Sequence, residues 1–559
     1  MPTLNFKGKT FVQNHHLAVK FHQLVPVKEL SLTPTVSLHD NLVIHGDNLK
    51  ALKALLPTYA GSIDCVYIDP PYNTGKEGWA YNDNVNSPMM QEWLGKVVDK
   101  EDLTRHDKWL SMMLPRLKLL YELLSEDGLI FIHIDDYEIH RLRSLMDEIY
   151  GEENFICNFV WKTDGNIDNQ AKIKINHEYI LMYAKNSKKF NAPSVIDPNI
   201  HESSKLHKEL IRNTIVKNGP KNPISEIKLP VGFPANFEKG EINERDNQWP
   251  KYKNKAFIEN FKLKNEVLIE SGWSSKDLLT EFLESDLKPI QDTKNQETIF
   301  EISSTGAIEV VKRRSEEQSH VLSVLMNLGN TQNASALLKE LNIKFDYPKP
   351  ISLYKYIISL VKRKNIRILD SFAGSATTAH AVLELNEEDG GNRKFILVEM
   401  EDYAKSTTAE RVRRVINGTP DAKTEKLKAG LGGTFSYFEL GEPIEMENLL
   451  RGENLPSYSE FARYLFYTAT GEEFNENAIN PETGFIGESG NHEVYLFYQP
   501  DLEWLKQNAL TLSMVNQLPP LKGKRRLIFA PVKYVDDETC RYFNIDFCQL
   551  PYEIYRIKQ

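Results

Sequence analysis

The stretch Ile63-Asp64-Cys65-Val66-Tyr67-Ile68-Asp69-Pro70-Pro71-Tyr72 decides the fold of this chain. Its first six residues form an apolar run, which predicts a buried strand. The two prolines lack N–H donors and cannot continue a sheet ladder, so the strand is expected to end at Asp69. The tetrapeptide from Asp69 to Tyr72 is therefore predicted to leave the sheet as a stiff loop.

Similar apolar runs recur on both sides of this stretch, and amphipathic helical patterns separate them. Alternation of short strands and helices predicts an α/β fold with a largely parallel sheet. The predicted helices cover residues 49–56, 108–124, 137–150 and 376–385, and the predicted strands cover 42–44, 63–68, 129–134, 155–161, 178–183, 366–370 and 394–398.

The length of 559 residues indicates two to four structural units. Between 187 and 345 the chain is rich in Lys, Asn, Pro and Glu, and its hydrophobic periodicity is weak. This change marks an insertion that interrupts the α/β pattern. We expect an N-terminal arm (1–40), two halves of one core (41–186 and 346–435), the insertion (187–345) and a C-terminal α+β domain (436–559).

Composition excludes several classes of protein. The chain has no run of 18 apolar residues, so a membrane span is not expected. The four cysteines are scattered without a CxxC pair, which argues against a zinc site and predicts a reducing cytoplasm. The net charge of -10 is unusual for a nucleic-acid binder, although an acidic outer surface is compatible with a basic cleft.

The loop after the first quoted strand carries the residue types needed to activate an amine on a nucleobase. Such an amine is a weak nucleophile because its lone pair is delocalised into the ring. The Asp69 carboxylate and the Pro70 carbonyl can each accept one of its N–H groups, which frees the lone pair and stabilises the developing cation. Tyr72 offers an aromatic face on which a flipped base can stack.

A second constellation lies between a predicted strand and helix, at Asp370-Ser371-Phe372-Ala373-Gly374-Ser375-Ala376. Small residues in this turn let the backbone approach a ligand at the start of a helix. Glu399 ends the following strand, where a carboxylate can accept hydrogen bonds from a ribose diol. The chain lacks both the dinucleotide GxGxxG motif and the P-loop, which argues against NAD chemistry and against an ATPase motor.

Together the two constellations resemble the catalytic and S-adenosylmethionine (SAM) motifs of amino-group DNA methyltransferases. The catalytic motif precedes the SAM motif, and this circularly permuted order resembles the beta class. Further matches resemble the modification (Mod) subunit of Type III restriction-modification systems, over most of residues 40–435 and the last thirty or so. They lie at 46–48, 105–110, 131–136, 177–179, 345–350, 353, 528–531 and 547–554.

The resemblance implies a Rossmann-like SAM-dependent core that methylates N6 of a flipped adenine in duplex DNA. It implies catalytic roles for Asp69, Pro70, Pro71 and Tyr72. Asp370 could instead orient the turn, and Lys349 could contact SAM or close over it. The chain departs from the family at Ser371 and at Ala376, which stands where a second glycine is usual and is compatible with SAM binding if its φ is negative. The implied SAM site comprises Asp47, Lys349, Asp370, Phe372, Ala373, Gly374 and Glu399.

The resemblance also implies partners. Residues 187–345 would recognise the target sequence in double-stranded DNA, with Lys217, Lys221 and Lys251 as candidate phosphate contacts or as parts of a solvated charged face. It implies a homodimer in a prokaryotic cytoplasm. Because the chain lacks a Walker A motif, restriction would need a separate helicase-nuclease subunit, and the alternative is an orphan methyltransferase.

Other activities remain open at this point. Cytosine-N4 methylation uses the same geometry, but those enzymes more often carry Ser where Asp69 stands. A module that binds SAM as a regulatory ligand would not need Asp69 and Tyr72. An RNA or protein methyltransferase would not need the long insertion.

Overall fold

The strand predicted from residues 63–68 lies inside the largest sheet, and all six of its residues are buried. Burial on both faces is typical of a parallel sheet that helices cover on each side. The computed structural model describes residues 3–73, 105–163, 172–193, 195, 197–200, 210–293, 295–313, 320–444, 454–520 and 523–550. Part of the motif at 547–554 lies outside these ranges.

The strands and helices predicted from the sequence are present in the structure, with small differences at their ends. Within the described ranges the strands are β1 (His22–Pro26), β2 (Leu42–His45), β3 (Ile63–Ile68), β4 (Leu124–Ile134), β5 (Phe155–Lys162), β6 (His177–Ala184), β7 (Leu210–Thr214), β8 (Ser225–Leu229), β9 (Lys239–Ile242), β10 (Lys251–Tyr252), β11 (Ala256–Glu259), β12 (Lys262–Leu263), β13 (Val267–Ser271), β14 (Ile290–Gln291), β15 (Glu297–Ile302), β16 (Ile308–Arg313), β17 (Val324–Leu325), β18 (Arg367–Asp370), β19 (Lys394–Glu399), β20 (Ser436–Pro443), β21 (Phe485–Glu488), β22 (His492–Leu496), β23 (Arg525–Ala530) and β24 (Ile545–Gln549).

Helices connect most of these strands. In the described ranges the α-helices are α1 (Lys9–Val12), α2 (His15–Ala18), α3 (Asn48–Tyr59), α4 (Arg105–Leu123), α5 (Ile139–Tyr150), α6 (Lys276–Glu284), α7 (Thr331–Glu340), α8 (Ile351–Ile358), α9 (Thr377–Asp389), α10 (Glu410–Asn417), α11 (Glu425–Ala429), α12 (Tyr458–Thr470), α13 (Leu502–Gln507), α14 (Leu512–Asn516) and α15 (Asp537–Tyr542). A π-helical turn over Ala404–Ala409 leads directly into α10.

The central sheet has the strand order β1-β20-β2-β19-β18-β3-β4-β6-β5-β17. The strands from β20 to β4 in this order are parallel, whereas β6 runs antiparallel to both of its neighbours. After β18 the chain continues to β19 on one side, and after β3 it continues to β4 on the other. This divergence opens a crevice at the carboxyl ends of β18 and β3, where α/β sheets bind ligands.

The chain divides into two compact units, Met1–Phe190 with Leu322–Gln559 and Asn191–Val321. The second unit is shorter at both ends than the insertion expected at 187–345. Its C-terminal limit lies earlier because β17 pairs with β5 and therefore belongs to the central sheet.

The expected boundaries at 40 and 435 do not separate structural units. Residues of β1 pair with β20 to form one edge of the central sheet, so part of the N-terminal arm and the start of the C-terminal region belong to the core. Helix α12 contributes Phe461 and Leu465 to the same hydrophobic core. The remaining C-terminal strands, β21 to β24, form a separate four-stranded sheet.

The inserted unit is rich in short antiparallel strands, despite its weak hydrophobic periodicity. Three sheets, β10-β13-β8, β12-β11-β9 and β14-β15-β16-β7, enclose a core of its own. Within β11 and β13 buried and more exposed residues alternate, as expected of strands with one covered face. Turns interrupt these short strands, which explains why the sequence of the unit shows no long stretch of hydrophobic periodicity.

Candidate functional site

The loop Asp69–Tyr72 follows β3 at the crevice, as predicted. Two contacts fix its downstream half. The indole Nε1 of Trp109, a fully buried residue on α4, donates a hydrogen bond to the Pro71 carbonyl at 2.7 Å. The Asn73 amide donates to the buried Glu138 carboxylate. The rigid prolines and these anchors hold the four residues in one geometry.

Lys349 lies in the centre of this site and bridges two strand ends. Its Nζ is 2.8 Å from Asp69 Oδ2, 2.8 Å from Tyr72 Oη and 3.3 Å from Glu178 Oε2. The Tyr72 hydroxyl in turn donates to Glu178 Oε2 at 2.8 Å. Glu178 belongs to β6, whose antiparallel course brings its first residues to the carboxyl end of β4. The site therefore holds two carboxylates, one phenol and one ammonium.

The electrostatics of this cluster keep Asp69 ionised. Burial alone would raise the pKa of Asp69, but the Lys349 ammonium outweighs it, and the pKa is lowered below its usual value. Burial would lower the pKa of Lys349, yet Asp69 and Glu178 raise it instead. Burial and the same carboxylates raise the pKa of Tyr72, which stays a neutral hydrogen-bond donor. The resting site is thus an ion pair beside a protonated phenol.

Three buried aromatic rings, those of Tyr67, His133 and Tyr354, pack together near the end of β3 that leads to Asp69. The Tyr67 hydroxyl lies 2.7 Å from His133 Nε2, and the Tyr67 ring packs against Tyr354 with centroids 4.2 Å apart. Burial lowers the pKa of His133 to about 3, so the imidazole is neutral at physiological pH. His133 therefore packs as an uncharged ring rather than acting as a second cation.

The glycine-bearing turn lies next to this loop because β18 is the neighbour of β3. Asp370 is buried at the end of β18 and accepts from the Phe372 N–H at 3.1 Å and from Thr378 Oγ1 at 2.5 Å. Burial raises the pKa of Asp370 to about 7. These contacts give Asp370 the position of a residue that orients the turn.

Two residues of the turn adopt left-handed backbone conformations. Gly374 has φ of +50°, and a Cβ added there would come within 3.2 Å of Phe345 Cζ. Ala376 has φ of +63° and is fully buried. The sequence predicts that Ala376 is compatible with SAM binding if its φ is negative. The observed φ is positive, so this condition is not met. A left-handed alanine costs about 1–2 kcal/mol, which the surrounding contacts must offset.

Residues that follow β19 in the chain donate hydrogen bonds to this strained turn. The buried Arg411 side chain donates to the Ser375 carbonyl and to Ser375 Oγ, both at 2.9 Å, and to Thr377 Oγ1 at 3.1 Å. Burial lowers the pKa of Arg411 to about 9. Thr408 Oγ1, on the π-helical turn, donates to the Gly374 carbonyl at 2.6 Å. The turn is thus tied to α10 at several points.

Glu399 ends β19 beside the turn and accepts three backbone hydrogen bonds. Its Oε2 accepts from the Gly374 N–H at 2.7 Å, and its Oε1 accepts from the Met400 and Glu401 N–H groups at 2.9 and 3.0 Å. Burial outweighs these bonds and raises the pKa of Glu399 to about 7. The carboxyl is therefore preorganised at the edge of the crevice.

One cavity of about 960 Å³ joins the loop, the turn and Glu399. This volume lies near the upper end of the range for small-molecule sites, roughly 300–1,000 Å³. Its walls include Lys349 and all four residues of the loop. They also include further predicted residues and several that sequence reasoning missed. The predicted ones are Phe372, Ala373, Gly374 and Glu399, and those missed include Tyr354, Thr377, Glu401, Tyr403 and Thr407. Glu178 and Phe345 lie in segments that match the family, but neither was named as a site residue.

Two predicted cofactor residues do not line this cavity. Asp370 lies beneath the turn with 2% exposure. Asp47 is the N-cap of α3, where its Oδ1 accepts from the Lys50 N–H at 3.0 Å. Its parallel strand places it at the same edge of the sheet, but its side chain is engaged with the helix N-terminus.

The three predicted DNA contacts lie in the inserted unit and differ in exposure. Lys217 and Lys221 are exposed, whereas Lys251 is partly buried. Lys251 Nζ lies 3.8 Å from Glu270 and 4.8 Å from the centre of the Trp249 ring. In the described ranges no cluster of His, Cys, Asp or Glu suits a metal ion, and no helix there is long and apolar enough to cross a membrane.

Comparisons with known proteins identify the family of the chain. Residues 63–410, more than half of the chain, match the DNA methylase family model for N6 and N4 enzymes. The StyLTI Mod subunit of Salmonella typhimurium is 31% identical over 72% of this chain and 59% of its own length. The EcoPI Mod subunit of Escherichia phage P1 is 31% identical over 66% of this chain and 58% of its own length.

A third relative differs in how much of it is matched. The Type II methyltransferase KpnI of Klebsiella pneumoniae is 29% identical over 71% of this chain and 93% of its own length. The chain thus matches less than two thirds of the length of the two Mod subunits, and nearly all of the Type II enzyme.

Proposed function

The chain belongs to the DNA methylase family, and on that premise we propose that it transfers a methyl group from SAM to N6 of a flipped adenine in duplex DNA. The observation that carries this proposal is the shared cavity. The loop Asp69–Tyr72 and the turn around Gly374 line one space of about 960 Å³, which is large enough for a cofactor and a base together.

The residues around the turn fit SAM. A Cβ at Gly374 would approach Phe345 to 3.2 Å, so the missing side chain leaves room under that ring. The buried Glu399 carboxyl is suited to accept hydrogen bonds from ribose hydroxyls. Phe372, Ala373 and Gly374 would line the cofactor pocket, with Asp370 orienting the turn. SAM, when bound, supplies the electrophilic methyl group for the transfer.

The residues of the loop would prepare the amine. Asp69 would accept one N–H of the target amino group and the Pro70 carbonyl would accept the other. Because Asp69 is held ionised, it would also stabilise the positive charge that develops on the nitrogen. Tyr72, whose hydroxyl donates to Glu178, would present its ring for stacking on the flipped base.

The base identity and the assembly are also part of the proposal. Asp at position 69 favours adenine over cytosine, because cytosine-N4 enzymes more often carry Ser at this position. The inserted unit would recognise the target sequence, with Lys217, Lys221 and Lys251 near phosphates. Relatives named as Mod subunits of Type III restriction-modification enzymes support a modification component of a Type III-like system with a separate restriction subunit. A homodimer belongs to the proposal only through the resemblance of the sequence motifs. The 93% match to a Type II enzyme favours a second candidate, a methyltransferase that acts alone.

The test is methyl transfer from labelled SAM to unmethylated genomic DNA, followed by mass spectrometry of the nucleosides. N6-methyladenine is the expected product. N4-methylcytosine would overturn the base assignment and keep the mechanism. The absence of any methylated nucleoside, with SAM binding demonstrated by calorimetry, would overturn the proposed function.

A further inference from the structure

Lys349 occupies the place that the target amine would need. Its ammonium donates to Asp69 Oδ2 and to Tyr72 Oη at 2.8 Å, so the carboxylate oxygen assigned to the incoming N–H already has a donor. The same Nζ lies 4.8 Å from the centre of the Tyr72 ring. A base that stacks on Tyr72 and donates to Asp69 Oδ2 would therefore compete with the ammonium for this oxygen.

We propose that Lys349 is a positioning residue that takes the place of the substrate amino group in the free protein and moves onto Glu178 when the base enters. The inference rests on the proposed function and concerns a residue that occupies the same site before the base enters. Before the base arrives, the ammonium holds Asp69 and Tyr72 in the arrangement that the amine will use. The site thereby avoids a half-buried carboxylate without a counter-charge.

The surroundings of Lys349 allow this exchange. Glu178 Oε2 lies 3.3 Å from Nζ in the resting site, so a small rotation of a long, flexible side chain completes the transfer. The displaced ammonium would keep one carboxylate partner and would not be left unpaired. The site holds two carboxyl groups and one ammonium, an arrangement that favours the cation formed on the target nitrogen.

Among the groups that face Asp69, Lys349 lowers the pKa of the Asp69 carboxyl the most. At neutral pH Lys349 carries the positive charge in this set, because His133 is neutral and Asp370 and Glu178 are carboxyl groups. Without the ammonium, the largest effect that opposes burial at Asp69 is lost, and the hydrogen bond with Tyr72 remains. The groups that surround Asp69 in the described part of the chain are Lys349, Tyr72, Glu178, His133, Asp370, Tyr67 and Tyr354.

The decisive experiment is the pH profile of kcat/KM for DNA at saturating SAM, which reports the ionisation of Asp69 before the base displaces Lys349. Lys349→Met should shift the acidic limb of the profile upward by about 1–3 pH units, because Asp69 must then ionise without its counter-charge. Lys349→Arg should keep the limb of the wild type. Lys355→Met is the matched control, since Lys355 also bridges two carboxylates, Glu384 and Glu388, outside the cavity.

A second variant keeps the proposal testable if Lys349→Met does not fold. Glu178→Gln removes the carboxylate that receives the ammonium, so the rate should fall by about tenfold while the acidic limb stays in place. An acidic limb of Lys349→Met that coincides with the wild type, or an unchanged rate in Glu178→Gln, would overturn the role of Lys349. A wild type that binds SAM but methylates no nucleoside would overturn the proposed function itself.

Discussion

Replacing Glu399 by Gln should remove a dependence of stability on pH that burial imposes on this carboxyl. Glu399 is 1% exposed, and burial raises its pKa from the usual 4.5 to about 7. Between these two values the native state holds a proton that the unfolded chain has released. The stability gained from this proton is fully present below pH 4.5 and is lost as the pH rises through 7.

The magnitude follows from the difference between the two pKa values. It corresponds to ~3 kcal/mol in total, most of which is lost between pH 5 and pH 8. In Glu399→Gln the amide cannot ionise, while Asp370 and the other titrating groups remain. Removing the Glu399 charge takes away only the smallest of the effects that raise the pKa of Asp370. In urea unfolding the wild type should therefore lose about 2–3 kcal/mol relative to the variant between pH 5 and pH 8.

A control separates this effect from the loss of any carboxylate. Glu425 has an 88% exposed side chain, so Glu425→Gln should follow the pH dependence of the wild type. Parallel curves for the wild type and Glu399→Gln would refute the reasoning that burial keeps the Glu399 carboxyl protonated.

Three further substitutions test the loop and the turn. Asp69→Ala should abolish methyl transfer and leave SAM affinity, measured by calorimetry, unchanged; near-normal turnover would refute the mechanism. Gly374→Asp should weaken SAM binding by at least about tenfold, because φ is +50° and a side chain there meets Phe345; unchanged affinity would remove the turn from the cofactor site. Trp109→Phe deletes the hydrogen bond to Pro71, which should cost ~1 kcal/mol in urea unfolding and lower the single-turnover rate more than SAM affinity; an unaffected rate would show that the loop needs no such anchor.

Much of the central unit was predictable because its strands are short apolar runs with clear ends. The strands that precede Asp69 and Ser371 were identified this way, and parallel pairing then brings their carboxyl ends together. Contacts made by packing were not predictable. Glu178 enters the site because β6 runs antiparallel to β4. This strand direction could not be predicted from the residues of β6 alone.

The turn shows the same limit on a smaller scale. Its glycine predicted a close approach of a ligand, but the left-handed backbone of Ala376 could not be read from the sequence. The preceding residues Gly374 and Ser375 accept hydrogen bonds from Thr408 and Arg411, which lie more than thirty residues further along the chain. Asp47 was expected at the cofactor and is found as a helix cap, because an aspartate before a helix serves either purpose equally well in the sequence. Lys349 was expected near SAM and lies against Asp69.

The pairing of β3 with β18 also sets a condition on synthesis of the chain. The Asp64 carboxylate accepts from the Arg367 N–H across 303 residues, so the partner of β3 is translated long after β3 itself. At about 5–20 residues per second, this interval lasts roughly 15–60 s. Throughout it, one edge of an apolar strand has no neighbour on the ribosome. The inserted unit, which has its own core, can fold within this interval, before the second half of the central sheet has been synthesised.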